Sequence, residues 1–274
     1  MKKTILCIAM LVVSVTTLII YTARSNSQRD TVPPVVSCPT DEIHASVSEI
    51  TDEFLLKDVT AKDNRCGDVT DTLVVQSISN FISDNTVIVT YAAVDDSNNV
   101  GRLERKLVYT DYTEPIFKLS RPLMYPAGTN VKFLGNIGAT SSIDGDLSNQ
   151  IRYGLDSIVD NNTPASYPIT FRVTDTNGKT SYLETEIVIY TSLYTGINIT
   201  LKDYLIYIPK GSEFTQKTAE SYFVESSIPL SDETELLVER NVDTSTPGVY
   251  YVDYTVNSIN TAGKSRLVVV VTDN

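Results

Sequence analysis

Three times along this chain, a run alternating apolar with small or polar residues reaches a polar turn and is answered by a second such run. The first runs Val87-Ile88-Val89-Thr90-Tyr91-Ala92-Ala93-Val94-Asp95, turns through Asp96-Ser97-Asn98-Asn99, and returns over Arg102–Tyr109. Eighty residues on, Tyr167–Asp175 turns at Thr176-Asn177-Gly178-Lys179 and returns over Ser181–Tyr190. After a further 83 residues, Tyr250–Val256 turns near Asn260-Thr261-Ala262-Gly263-Lys264 and returns over Ser265–Thr272. Side chains on a strand point alternately to its two faces, so period two marks a half-buried strand, and an Asn/Gly-rich turn between two such runs marks a hairpin. A repeat of this length fits one small sandwich per copy, each closing on its last hairpin. The pattern predicts an all-β chain with domains at 33–111, 112–191 and 192–274, the last divergent. The joints fall near Asp111-Tyr112-Thr113-Glu114-Pro115 and Thr191-Ser192-Leu193-Tyr194.

The composition agrees. Sixteen Tyr and no Trp accompany abundant Val, Ile, Thr and Ser, the vocabulary of pleated strands. A formal charge of −12 leaves no basic surface to displace phosphate counterions, which argues against nucleic acid. His44 is the only histidine, so neither a His-based zinc cluster nor a Ser-His-Asp or Cys-His arrangement is expected. No enzyme activity and no cofactor are expected, calcium apart.

The N-terminus sets the compartment. Lys2 and Lys3 precede twenty uncharged residues, Thr4–Ala23, before Arg24. As a helix that length covers about 30 Å, the thickness of the hydrocarbon core. Residues 1–23 therefore read as a single-pass membrane anchor or as a signal segment. Either exports the remainder: to the cell surface if uncleaved, as a secreted protein if cleaved at Ala23-Arg24-Ser25. Residues 24–32 read as a short polar stalk.

The first repeat opens Pro33-Pro34-Val35-Val36-Ser37-Cys38-Pro39 and continues Thr60-Ala61-Lys62-Asp63-Asn64-Arg65-Cys66-Gly67, then Tyr91-Ala92-Ala93-Val94-Asp95. It resembles the HYR module, an immunoglobulin-like extracellular repeat. The second carries Gly138-Ala139-Thr140-Ser141-Ser142-Ile143-Asp144-Gly145-Asp146-Leu147-Ser148 and is similar to the bacterial Ig-like domain of pesticidal crystal proteins. The resemblance implies three tandem immunoglobulin-like β-sandwiches after the N-terminal helix. It also implies a bacterial cell-surface role, structural or adhesive, with a protein or glycan ligand, or a carbohydrate-binding accessory role in the cell envelope.

Asp144, Asp146 and Asp175 are the candidate calcium ligands, because calcium takes six to eight oxygens and sandwich-end loops can cluster carboxylates. Asp63, Asp95 and Asp96 form the equivalent set in the first repeat. The competing reading is that these residues bond their own backbone in turns. Outside the cell Cys38 and Cys66 either oxidise to a disulfide, worth about 3–4 kcal/mol by the chain-entropy relation, or remain two unpaired thiols. Tyr204, Tyr207 and Tyr222 are either a sugar-stacking platform or core residues with hydroxyls at the rim.

Overall fold

The computed structural model describes residues 2–28, 30–155 and 158–273. They divide into two compact units, 1–111 and 112–274. The first unit begins with α1 (Lys2–Gln28), followed by β1 (Val35–Ser37), β2 (Glu42–Ala45), α2 (Asp52–Leu56), β3 (Thr60–Asp63), β4 (Gly67–Asp68), β5 (Val74–Ile78), β6 (Thr86–Val94) and β7 (Val100–Tyr109). The second begins with β8 (Ile116–Leu119), β9 (Met124–Pro126), β10 (Ile137–Ser141), β11 (Gly145–Asp146), β12 (Arg152–Leu155), β13 (Ala165–Thr174) and β14 (Thr180–Tyr190). It continues with β15 (Ile199–Leu201), β16 (Leu205–Pro209), α3 (Gln216–Glu220), β17 (Phe223–Ser226), β18 (Thr234–Arg240), β19 (Gly248–Ser258) and β20 (Thr261–Thr272).

One topology recurs three times. The four-stranded sheets run β2-β7-β6-β5, β9-β14-β13-β12 and β16-β20-β19-β18. The smaller ones are β1-β3-β4, β8-β10-β11 and β15-β17. In each copy the chain pairs first in the small sheet, then crosses to run parallel to the last strand of the large one: β2 with β7, β9 with β14, β16 with β20. A first strand shared between two sheets, with a final hairpin at the centre of the larger, is the immunoglobulin-like arrangement. Three such sandwiches follow α1. The hairpins fall where the alternation places them, with one difference. β20 begins at Thr261, so Gly263 lies in the strand and not in the turn.

The N-terminal segment differs more. α1 reaches Gln28, so residues 24–28 are helical where a stalk was expected. Its described apolar stretch, Cys7–Thr22, spans only about 24 Å at the helical rise. Among the described residues no helix is long and apolar enough to cross a membrane. The side chains of Thr4–Leu6 and Ala23, which complete the expected span, lie outside those described.

The expected joint at Thr191–Tyr194 falls inside the second unit, and packing explains why. Strand β20 contains Leu267-Val268-Val269-Val270-Val271, an apolar run without alternation. Leu267 and Val269 enter the third sandwich's own core with Val252, Tyr254 and Val256. Val268 instead joins the core of the second sandwich with Leu205, and Tyr204, Val249, Tyr251 and Val270 pack against it. A strand apolar on both faces is one covered on both faces. Polar contacts reinforce the joint. The Tyr207 hydroxyl accepts from the Phe117 N–H at 3.1 Å. Arg266, its side chain 14 % exposed, pairs with Asp253 at 2.5 Å and with Glu186 of the second sandwich, its guanidinium 4.5 Å from the centre of the Tyr251 ring.

A buried tyrosine organises two of the three cores. Tyr91 and Tyr254 are fully buried at matching places in β6 and β19. Each donates its hydroxyl to a carbonyl of the short helix beneath it, Tyr91 to Leu55 at 3.0 Å and Tyr254 to Ala219 at 2.6 Å. The second sandwich has Phe171 at this place and, among the described residues, no α-helix. Burial holds the Tyr254 phenol well above the usual tyrosine range, so it donates at every physiological pH. Tyr254→Phe leaves the Ala219 carbonyl without this donor and should cost about 1–2 kcal/mol. Phe171→Tyr, with no α-helix among the described residues of its sandwich to offer a carbonyl, should be no better than neutral. Urea midpoints of the two variants check both.

Candidate functional site

The ends of the first sandwich bring together three carboxylates. Asp63 closes β3. Its Oδ1 accepts from the N–H groups of Arg65 and Cys66 at 2.8 and 2.7 Å, nucleating the turn into β4. The Cys66 and Arg65 amides hold the Asp63 carboxyl below the usual carboxylate range. Asp95 closes β6. Its Oδ1 accepts from Ser97 and Asn99 N–H groups, both at 2.8 Å, and its Oδ2 accepts from Asn99 Nδ2 at 2.7 Å. Asn98 takes the left-handed conformation this turn needs, φ 64°.

The third carboxylate arrives from a distance in sequence. Asp30 lies just beyond α1, and its Oδ1 accepts from the Val32 N–H at 3.0 Å. Residues 30–34 then run alongside the β6–β7 hairpin, where the Val32 carbonyl meets Asn99 Nδ2 at 3.4 Å and the Pro34 carbonyl lies against Gly101. That path delivers Asp30 to Asp63 and Asp95. One carboxylate oxygen from each lies within 4.8 Å of the others, the only such group of three among the described residues. Asp30, Asp63 and Asp95 are 6, 7 and 4 % exposed. Arg65 Nε approaches Asp30 Oδ2 at 3.6 Å from a half-exposed position.

The other candidate residues are placed differently. Asp144 accepts from the Thr176 N–H at 2.9 Å and from its hydroxyl. Asp146 accepts from Ser148 N and Oγ at 2.9 and 2.5 Å, bonds that hold its carboxyl below the usual range, the hydroxyl contributing most. Asp175 accepts from Lys179 N at 2.9 Å and from the Tyr112 hydroxyl at 2.7 Å. These three cap turns and form no ligand group among the described residues. Asp96 is outside the first-repeat group, and Asp30 stands in its place. Cys38 and Cys66 are free thiols in this structure. The Cys38 thiol donates to the Thr40 carbonyl at 3.1 Å. His44 Nε2 lies 2.9 Å from Glu42 Oε1 on an exposed strand. Tyr204 and Tyr222 pack on the cores and Tyr207 bonds across the joint, so the three form no platform.

Strand order and cores define the class: tandem immunoglobulin-like sandwiches. No family model matches the chain. A curated relative, an uncharacterized 81.3 kDa protein of Acholeplasma phage L2, is 24 % identical over 171 residues, covering 60 % of this chain. The chain spans 23 % of that protein's length. Among solved structures, Drosophila N-cadherin EC1-3 is similar at TM-score 0.32 and 13 % identity, covering 86 % of this chain and 99 % of that one. The CBM51-2 and INT domains of Clostridium perfringens ZmpB are similar at TM-score 0.23 and 16 % identity, covering 87 % and 42 %. The lipoprotein BT2262 of Bacteroides thetaiotaomicron is similar at TM-score 0.24 and 11 % identity, covering 56 % and 98 %. At these TM-scores the fold rests on the chain's own strand order.

Proposed function

We propose that this chain is a non-catalytic cell-surface protein, structural or adhesive. Its N-terminal helix holds it at the membrane, and residues 33–274 lie outside and present the third sandwich to a protein or glycan partner. One observation carries the reading. Val268 and Leu205 of the third sandwich belong to the second sandwich's core, which makes residues 112–274 a stiff arm and not two beads on a linker. A spacer that must hold a partner away from a surface needs that stiffness. The resemblance of the first two repeats to HYR and crystal-protein Ig-like modules supports the same role. An envelope carbohydrate-binding module has less behind it, since Tyr204, Tyr207 and Tyr222 are engaged in packing and in the joint.

The test expresses the full chain in bacteria and adds protease to sealed cells. Digestion of residues 33–274 with the N-terminal segment left in the membrane fraction is expected, whereas complete protection would overturn the surface location. Release of intact 33–274 into the medium would identify a cleaved signal. Absence of binding to cells, matrix proteins and glycan arrays would remove the adhesive role and leave the spacer.

A further inference from the structure

The turns alone do not account for the charge gathered at Asp30, Asp63 and Asp95. Each turn is served by one oxygen: Asp63 Oδ1 takes the β3–β4 amides and Asp95 Oδ1 takes the β6–β7 amides. Asp30 Oδ2 and Asp63 Oδ2 are buried and have no hydrogen-bond partner. Buried polar atoms are almost always satisfied, and a buried carboxylate oxygen left over asks for a cation.

The second sandwich supplies an internal comparison. By strand register Asp63 corresponds to Ser141 and Asp95 to Asp175, and the Asp175 carboxylate meets Tyr112 where the Asp95 carboxylate meets Asp30. Ser141 Oγ accepts from the Ile143 N–H at 3.1 Å, so a neutral side chain suffices for that turn. Asp175 keeps the hairpin bond of Asp95, accepting from Lys179 N. Tyr112 comes from the segment leading into its sandwich, as Asp30 does, and its hydroxyl donates to Asp175 Oδ2 at 2.7 Å. At the same place in the second sandwich the Asp175 carboxylate takes a hydroxyl, while Asp144 accepts from Thr176 and Glu114 pairs with Lys179. In the first that place holds three carboxylates, with Asp30 Oδ2 and Asp63 Oδ2 lacking a hydrogen bond and Arg65 Nε 3.6 Å from the former.

We propose that Asp30, Asp63 and Asp95 bind a calcium ion that pins the segment after α1 to the end of the first sandwich. Calcium binds oxygens at about 2.3–2.6 Å, so two ligands on opposite sides of the ion stand roughly 4.8 Å apart. Three carboxylate oxygens none of which is farther than 4.8 Å from another fit on one coordination sphere, with water supplying the remaining positions. The ion bridges three separate stretches of chain, and its effect is to fix the direction in which the tether leaves the sandwich. Arg65 is a half-exposed counter-charge at the rim, its Nε 3.6 Å from Asp30 Oδ2.

The test uses the full chain in detergent micelles with 10 mM calcium chloride or with EGTA. Calcium sites in extracellular modules have Kd on the order of 10⁻⁴–10⁻³ M, an occupancy ratio of roughly 10 to 100 here, which should raise the melting temperature of the first unit by roughly 5–10 °C. Amide exchange should slow in peptides covering residues 30–36, 63–68 and 95–101 and be unchanged around 141–148. Asp63→Asn keeps an oxygen for the turn and should abolish the calcium response while leaving exchange in EGTA as in the parent. Asp30→Asn, outside both turns, should do the same and serves if Asp63→Asn misfolds. Asp146→Asn should retain the full response. If Arg65 is the only counter-charge the cluster needs, calcium will change neither melting nor exchange. That result, or a response surviving in Asp30→Asn and Asp63→Asn, would overturn the proposal.

Discussion

Val268→Asp is expected to cost about 3–5 kcal/mol, because it places a carboxylate in apolar packing beside an Arg266 already paired with Asp253 and Glu186. Val268 is 3 % exposed and belongs to the second sandwich's core while standing on a strand of the third. Its neighbours Leu267 and Val269 point the other way, into the third sandwich's own core. The damage should therefore fall on the joint first. Calorimetry should show the transition of residues 112–274 splitting into two, and limited proteolysis should reach the segment around residues 191–197. Val224→Asp adds the same charge at a strand position that is 51 % exposed and should leave melting within about 0.5 kcal/mol of the parent. Equal damage from both would mean that added charge, and not the joint, is what the third sandwich resists.

Gly101→Ala should cost about 3 kcal/mol, near the upper end for overpacking. A Cβ at residue 101 would lie 1.9 Å from the Pro34 carbonyl oxygen and 2.9 Å from its carbon. Backbone offers no rotamer in which to step aside, so residues 30–34 must lift from the β6–β7 hairpin. That movement also carries Asp30 away from Asp63 and Asp95, so the variant should lose its melting response to calcium along with its stability. Gly263 stands at the matching place in β20, where a Cβ would lie 2.0 Å from the Ile197 carbonyl oxygen. Gly154 has open space around its Cβ position, and Gly154→Ala should be neutral or slightly stabilising in urea titrations.

The final hairpins were legible because alternation and a polar turn are local signals. β6 with β7, β13 with β14 and β19 with β20 lie within two or three residues of the runs read for them, apart from the earlier start of β20. The parallel pairings were not legible. β2, β9 and β16 are three to five residues long and reach their partners across more than fifty residues, with no turn to announce them. Leu267–Val271 does not alternate, and an unbroken apolar run marks a strand with neighbours on both sides. Two of the three candidate ligands were visible, Asp63 and Asp95 at strand ends. Asp30 was not, since nothing in Arg24–Val32 has a period and its partners are 33 and 65 residues away. In sequence Gly263 reads as a turn residue, because its use, the close passage of the Ile197 carbonyl, depends on a remote segment.

The packing of the third sandwich onto the second is tested most directly by residual dipolar couplings measured on the amides of β8–β14 and β15–β20 in one weakly aligned sample. A single alignment tensor fitting both sets is the expected result. Two tensors of different magnitude, fitted separately to the two sandwiches, would contradict the shared core.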